Sequence, residues 1–152
     1  MQTEFFSKMG SQMGSMFLRT RWLYKSLTGG GSEQIVAEQQ MGRHLAKAYL
    51  AQVVLDEDET AIQWVEWLGR KLEKGLVSDK RQFSFYIVKA EEANAFALPG
   101  GFIFVTRALL DLCQFETNEV ACVLGHEMGH VVRLHAINRF LTNKLIQLIA
   151  RR

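Results

Sequence analysis

Val120-Ala121-Cys122-Val123-Leu124-Gly125-His126-Glu127-Met128-Gly129-His130-Val131-Val132 is the stretch on which the reading of this chain turns. It belongs to an apolar run, Val120 to Ile137, with helical periodicity. Successive residues on a helix turn by about 100°, so positions four apart face the same way. His126 and His130 therefore present two imidazoles to one point. Neutral imidazoles bind divalent zinc, and Glu127 stands beside them, placed to act on a metal-bound water. Chance alone supplies such an H-E-x-x-H pattern in roughly one chain in a hundred of this composition. Its place in the middle of an apolar helix makes it more specific than that. Gly125 and Gly129 cost that helix about 1 kcal/mol each relative to Ala. Small residues there would admit a sheet edge or a substrate close by. The ordinary alternative is a pair of histidines satisfied in a core or at a surface.

The chemistry assigns roles within the pattern. His126 and His130 are the expected ligands of one zinc ion. Glu127 lies about 100° around the helix from His126, out of the ligand direction but within reach of the water. It is the expected general base, passing a proton to the leaving amine. A catalytic zinc takes three protein ligands and keeps one position open. His135 is nine positions from His126, half a turn out of phase on a continuous helix, and Val131 to Leu134 holds no glycine to break it. Glu116 and Glu119 point to the other end of the helix, and nothing places His44 nearby. Spacing alone leaves the third ligand unassigned.

Upstream, the chain divides at Gly29-Gly30-Gly31-Ser32, a breaker whose Ser32 is expected to cap a helix over 33–52. Ile35, Val36, Met41, Leu45, Ala48 and Tyr49 form that helix's apolar pattern. Asp56 to Glu59 reads as an acidic link. A second helix is expected from Thr60 to Lys74, with Ile62, Val65, Leu68 and Leu72 on one face and Gly75 as its stop. The period then changes. Phe83, Phe85 and Ile87 alternate with Ser84, Tyr86 and Val88, which predicts a strand over 82–89. Asn94 to Leu98 reads as a short strand, Pro99-Gly100-Gly101 as a turn and Phe102 to Val105 as a third strand. Thr106 is expected to cap a short helix, and Thr117 the long metal helix. The order of N-terminal helices, a small sheet with an edge strand and a zinc-binding helix predicts an α+β fold. Residues 1–32 are expected to be a flexible arm, and 33–152 one domain.

Bulk composition narrows the functions. With 152 residues, 48% hydrophobic and 22% charged, the chain can bury one core. A net charge of +2 is too small to argue for nucleic acid. Arg19, Arg21 and Lys25 form one basic cluster, either a solvated arm or a contact with an anionic membrane surface. Cys113 and Cys122 are too few for a disulfide framework, and their apolar surroundings predict buried free thiols. No secretory signal is visible and no run reaches the roughly 20 apolar residues of a membrane span. The free thiols lean towards a reducing compartment, so the expected location is cytoplasmic or at a membrane.

Two segments together resemble a known family. Asn94-Ala95-Phe96-Ala97-Leu98-Pro99-Gly100-Gly101-Phe102-Ile103-Phe104-Val105-Thr106-Arg107 is similar to the strand–turn–strand of the HtpX-like zinc metallopeptidases, family forty-eight of the gluzincin type. Glu119 to Val132 is similar to that family's active-site helix, and His135 matches a histidine often found there outside the ligand set. The resemblance is strong over residues 80 to 140 and weaker over 33 to 75. It implies endopeptidase activity, one zinc ion and a polypeptide substrate that pairs with the edge strand at Asn94, Ala95, Phe96 and Ala97. An extended peptide can add to a sheet edge through main-chain hydrogen bonds. Without the family, a plain hairpin would be the simpler reading of that segment. The resemblance also implies a third ligand, a glutamate on a later helix, which this sequence lacks. The domain is thus expected to be C-terminally incomplete, and this chain alone to show weak or no activity. A metallopeptidase-like binding or regulatory module without turnover is the alternative, and a metal-free helical interaction protein is a third reading.

Overall fold

A computed structural model describes residues 31–76 and 81–133. They form α1 (Gly31–Leu50), β1 (Val54–Leu55), α2 (Glu59–Lys74), β2 (Ser84–Lys89), β3 (Ala95–Leu98), β4 (Phe102–Thr106), α3 (Arg107–Leu112) and α4 (Thr117–Val132). The fold is α+β, a mixed four-stranded sheet with helices on both faces. Strand order is β1-β2-β4-β3. β2 runs parallel to β4, with Phe85 opposite Ile103. β3 returns antiparallel along β4, with Ala97 opposite Ile103. β1 closes the other side, antiparallel to β2.

Alternation along the strands splits the core in two. Phe83, Ile87, Ile103 and Val105 face one way and pack with Val65 and Leu68 of α2 and with Val120, Leu124, Met128 and Val131 of α4. Val88, Leu98 and Phe104 face the other way and meet Met41, Leu45, Ala46 and Tyr49 of α1. Tyr49 stands edge-on to Phe96 and Phe104, with ring centroids 5.1 and 4.9 Å apart. A strand buried on both faces has to be apolar at every position, which is what Phe102 to Val105 provides.

Several element ends differ from the sequence expectation, each for a local reason. α1 starts at Gly31, so Ser32 lies inside the helix rather than capping it. Just before the acidic link, Val54 and Leu55 pair with β2 as β1, and within the link Asp58 is the N-cap of α2. The Asp58 carboxylate accepts from the amides of Thr60 and Ala61 at 3.1 and 3.2 Å. Gly75 stops α2 as expected, but in a right-handed conformation. Thr106 caps α3, accepting from the Leu109 amide at 3.2 Å. Thr117 does not cap α4; Glu116 occupies that position and makes no side-chain cap bond. α4 ends at Val132, so the apolar run to Ile137 is not one described helix. Leu134 to Ile137, including His135, and the arm residues 1–30 lie outside the described residues. The buried face of α1 is also rotated. Val36 and Ala48 are exposed, whereas Ala37 and Glu38 are buried.

Candidate metal centre

α4 is oriented by its apolar stripe. Val120, Leu124, Met128 and Val131 recur at helical spacing and are sealed against α2 and the sheet. The remaining face carries the chemistry. His126 is exposed, while Glu127 and His130 are half-buried. One turn apart, the two imidazoles meet edge to face with centroids 4.5 Å apart and Nε2 atoms 2.9 Å apart. At that separation either one ring donates a hydrogen bond to the other, or both lone pairs aim at one cation. Zinc–nitrogen bonds of about 2.0–2.1 Å accommodate two nitrogens at this spacing. His126, Glu127 and His130 each offer a ligand atom within 4.8 Å of the others, the metal-type group among the described residues. Imidazole plus carboxylate is a donor set that suits a divalent transition metal. The residues therefore fit the ion that the sequence implies.

Glu127 links this pair to the sheet. The main-chain N–H of Ala97 lies close enough to its carboxylate to favour the ionised form. Burial pushes its pKa up, while the charge on His126 and the Ala97 amide pull it down; burial is the largest effect. A carboxyl raised in this way is a stronger base once ionised.

β3 is an edge of the sheet, as the sequence suggested. Its residues are not equivalent. The Asn94 N–H donates to the Thr106 hydroxyl at 2.9 Å, and its C=O accepts from the Thr106 amide at 2.9 Å. Antiparallel pairing alternates, so the main chains of Phe96 and Leu98 also turn inward to β4, and those of Ala95 and Ala97 turn outward. The nearness of the Ala97 amide to Glu127 agrees with this phase. The Phe96 ring stacks on Phe104, centroids 5.1 Å apart, on the α1 side. Ala95 and Ala97 pack on the α4 side. Of the four residues expected to bind substrate, two thus present their main chain at the edge.

Other expectations are corrected or extended. A Cβ at Gly125 or Gly129 would meet nothing within 4 Å among the described residues, so no sheet edge lies there. β3 approaches from the side of Glu127 instead. Cys122 is exposed and Cys113 half-buried, because α4 turns Cys122 away from the core. His44 is exposed on α1 and is not part of the metal group. Sequence reasoning missed the contact between Glu127 and Ala97. The alternation of a strand beside a metal helix was its only signal.

Two imidazoles on adjacent turns with a carboxylate beside them are a metal-type site on a helix, next to a sheet edge. The family model described as Peptidase family M48 matches residues 59–151, and the chain belongs to that family. The chain is similar to the Beta-barrel assembly-enhancing protease of Yersinia pestis, with 32% identity over 108 residues, 71% of this chain and 22% of that protein. It is similar to the Mitochondrial metalloendopeptidase OMA1 of Arabidopsis thaliana, 30% identical over 133 residues, 82% of this chain and 27% of that one. It also matches Metalloprotease LoiP of Escherichia coli at 42% identity over 52 residues, 34% of this chain and 20% of that protein. The chain thus spans only 22% of the length of the Yersinia relative.

Proposed function

We propose that this chain carries the core of a zinc-dependent endopeptidase, with His126 and His130 holding the ion and Glu127 as general base. The observation that carries the reading is the placement of Glu127, grouped with both imidazoles on α4 and near the main-chain N–H of Ala97 on the edge strand. Zinc, when bound, supplies a Lewis acid that acidifies water and polarises the scissile carbonyl. Glu127 takes the proton of the attacking water and hands it to the leaving amine. The outward main chain of Ala95 and the C=O of Ala97 pair with an extended polypeptide. The polypeptide is aligned by these backbone groups before Glu127 acts.

The third protein ligand comes from outside the described residues. Two imidazoles without it support a second reading, a metallopeptidase-like module that binds polypeptide without turnover. Zinc binding with casein cleavage separates the two. The endopeptidase reading expects chelator-sensitive cleavage that His126→Ala abolishes together with stoichiometric zinc. Zinc binding without cleavage, in protein extended to the full length of its relatives, would favour the module. Membrane-surface contact through Arg19, Arg21 and Lys25 is proposed from sequence alone, and those residues lie outside the described ones.

No helix among the described residues is long and apolar enough to cross a membrane.

A further inference from the structure

Glu38 lies before the family match and is 1% exposed in the core. Its carboxylate has two distinct partners. Arg81, itself 9% exposed, donates from Nη2 at 3.1 Å and from Nε at 3.3 and 3.4 Å. The Gly100 amide donates to its Oε1 at 3.2 Å. Gly100 belongs to the turn between β3 and β4, so one side chain of α1 grips the start of the β3–β4 reversal.

The surroundings leave that turn no slack. A Cβ at Gly42, one turn along α1, would fall 1.6 Å from the Pro99 carbonyl oxygen. Gly100 has φ +83°, and a Cβ there would lie 2.7 Å from the Cα of Gln39. At its other end, β3 is fixed by the paired main chains of Asn94 and Thr106. The edge strand is therefore held at both ends, with Ala97 three residues from the Gly100 amide.

Stability alone does not explain a sealed carboxylate at this place. Desolvating an ion pair is costly, and a packed apolar pair in its stead is often neutral or stabilising. An apolar pair, however, cannot accept a hydrogen bond from Gly100. A carboxylate is directional, and that direction fixes a backbone atom.

We propose that Glu38 is a positioning residue for the peptide-binding edge. Through the Gly100 amide it sets where β3 lies against Glu127, and thereby how tightly an extended polypeptide is held, without touching that polypeptide. The proposal rests on the reading of β3 as the substrate edge.

The test uses the full chain loaded with zinc, in a Glu127→Gln background so that binding of fluorescein-labelled casein is read without turnover. Glu38→Gln is expected to weaken casein binding about tenfold and to speed amide exchange at Phe96, Ala97 and Leu98 by about as much. Zinc affinity and exchange along α4 stay within about twofold of the parent. If Glu38→Gln does not fold, Arg81→Lys, which keeps the cation but not the two-nitrogen grip, is read in the same way. Unchanged casein affinity with unchanged exchange in β3 would overturn the proposal. So would exchange that rises equally in α4, since that is the mark of a merely structural residue. Ala95→Pro removes an outward N–H without removing a bond to β4, and so tests the edge itself. If it leaves casein affinity unaltered, the edge-strand reading fails and the proposal falls with it. If it weakens binding while Glu38→Gln does not, only the role of Glu38 is lost.

Discussion

The two edges of the sheet are built in opposite ways. β1 is two residues long, and its Val54 and Leu55 side chains are 62% and 39% exposed. β3 is four residues long, fixed at both ends, and its outward amide at Ala97 lies near the Glu127 carboxylate. An open edge invites pairing with any other chain, and shortness is one way to limit that. β1 is limited by length. β3 is instead kept extended and held in place, with α1 behind it and the metal helix beside it. One edge merely ends the sheet, whereas the other is the one proposed to receive a polypeptide.

Substitutions at the two edges should therefore differ in size. Gly42→Ala drives a methyl group into the Pro99 carbonyl, and neither the helix backbone nor the turn backbone can give way cheaply. It should destabilise the fold by about 3 kcal/mol, read by urea denaturation; a loss below about 1 kcal/mol would mean that α1 does not clamp the turn.

On the β1 side, Asp58 follows the strand and caps α2. Its pKa is lowered, first by the Ala61 amide and then by the Arg107 side chain. A carboxyl with a lowered folded pKa adds stability that is fully present above its ordinary value of 3.8 and lost as the pH falls through the folded value. Asp58→Ala should lower Tm at neutral pH, and the gap to the parent should close in acid. A gap independent of pH would assign the effect to something other than the ionised cap.

The smallest effect is expected at Val54. Val54→Lys places a charge on an exposed side chain of the short edge and should change stability by no more than about 0.5 kcal/mol. A larger loss in the same denaturation assay would show that β1 carries more of the sheet than its length implies.

Much of this contrast was legible in the sequence, and the remainder depended on contacts between distant segments. Phe83, Phe85 and Ile87 announced β2 by alternation, and the Pro99-Gly100-Gly101 turn announced the β3–β4 reversal. His126 and His130 were legible because helix geometry alone brings residues four apart together. β1 was not, because Val54 and Leu55 become a strand only through Lys89 and Val88. The face of α1 was misjudged because Val36 and Ala48 fit an apolar helix equally well by spacing, and the sheet chose Glu38 instead. A charge inside an apolar stripe, three positions after Ile35 and three before Met41, was the available hint. Its partners Arg81 and Gly100 lie more than forty residues away, beyond any local pattern.

The central claim is that Glu127 acts as a base between a zinc-holding histidine pair and a peptide edge. Its most direct test measures zinc content and casein hydrolysis together, for the parent and Glu127→Gln, in protein extended to the full length of its relatives. Zinc is expected to stay bound at one ion per chain while hydrolysis falls by about 10²–10⁴-fold. Hydrolysis by Glu127→Gln at the parent rate would contradict it.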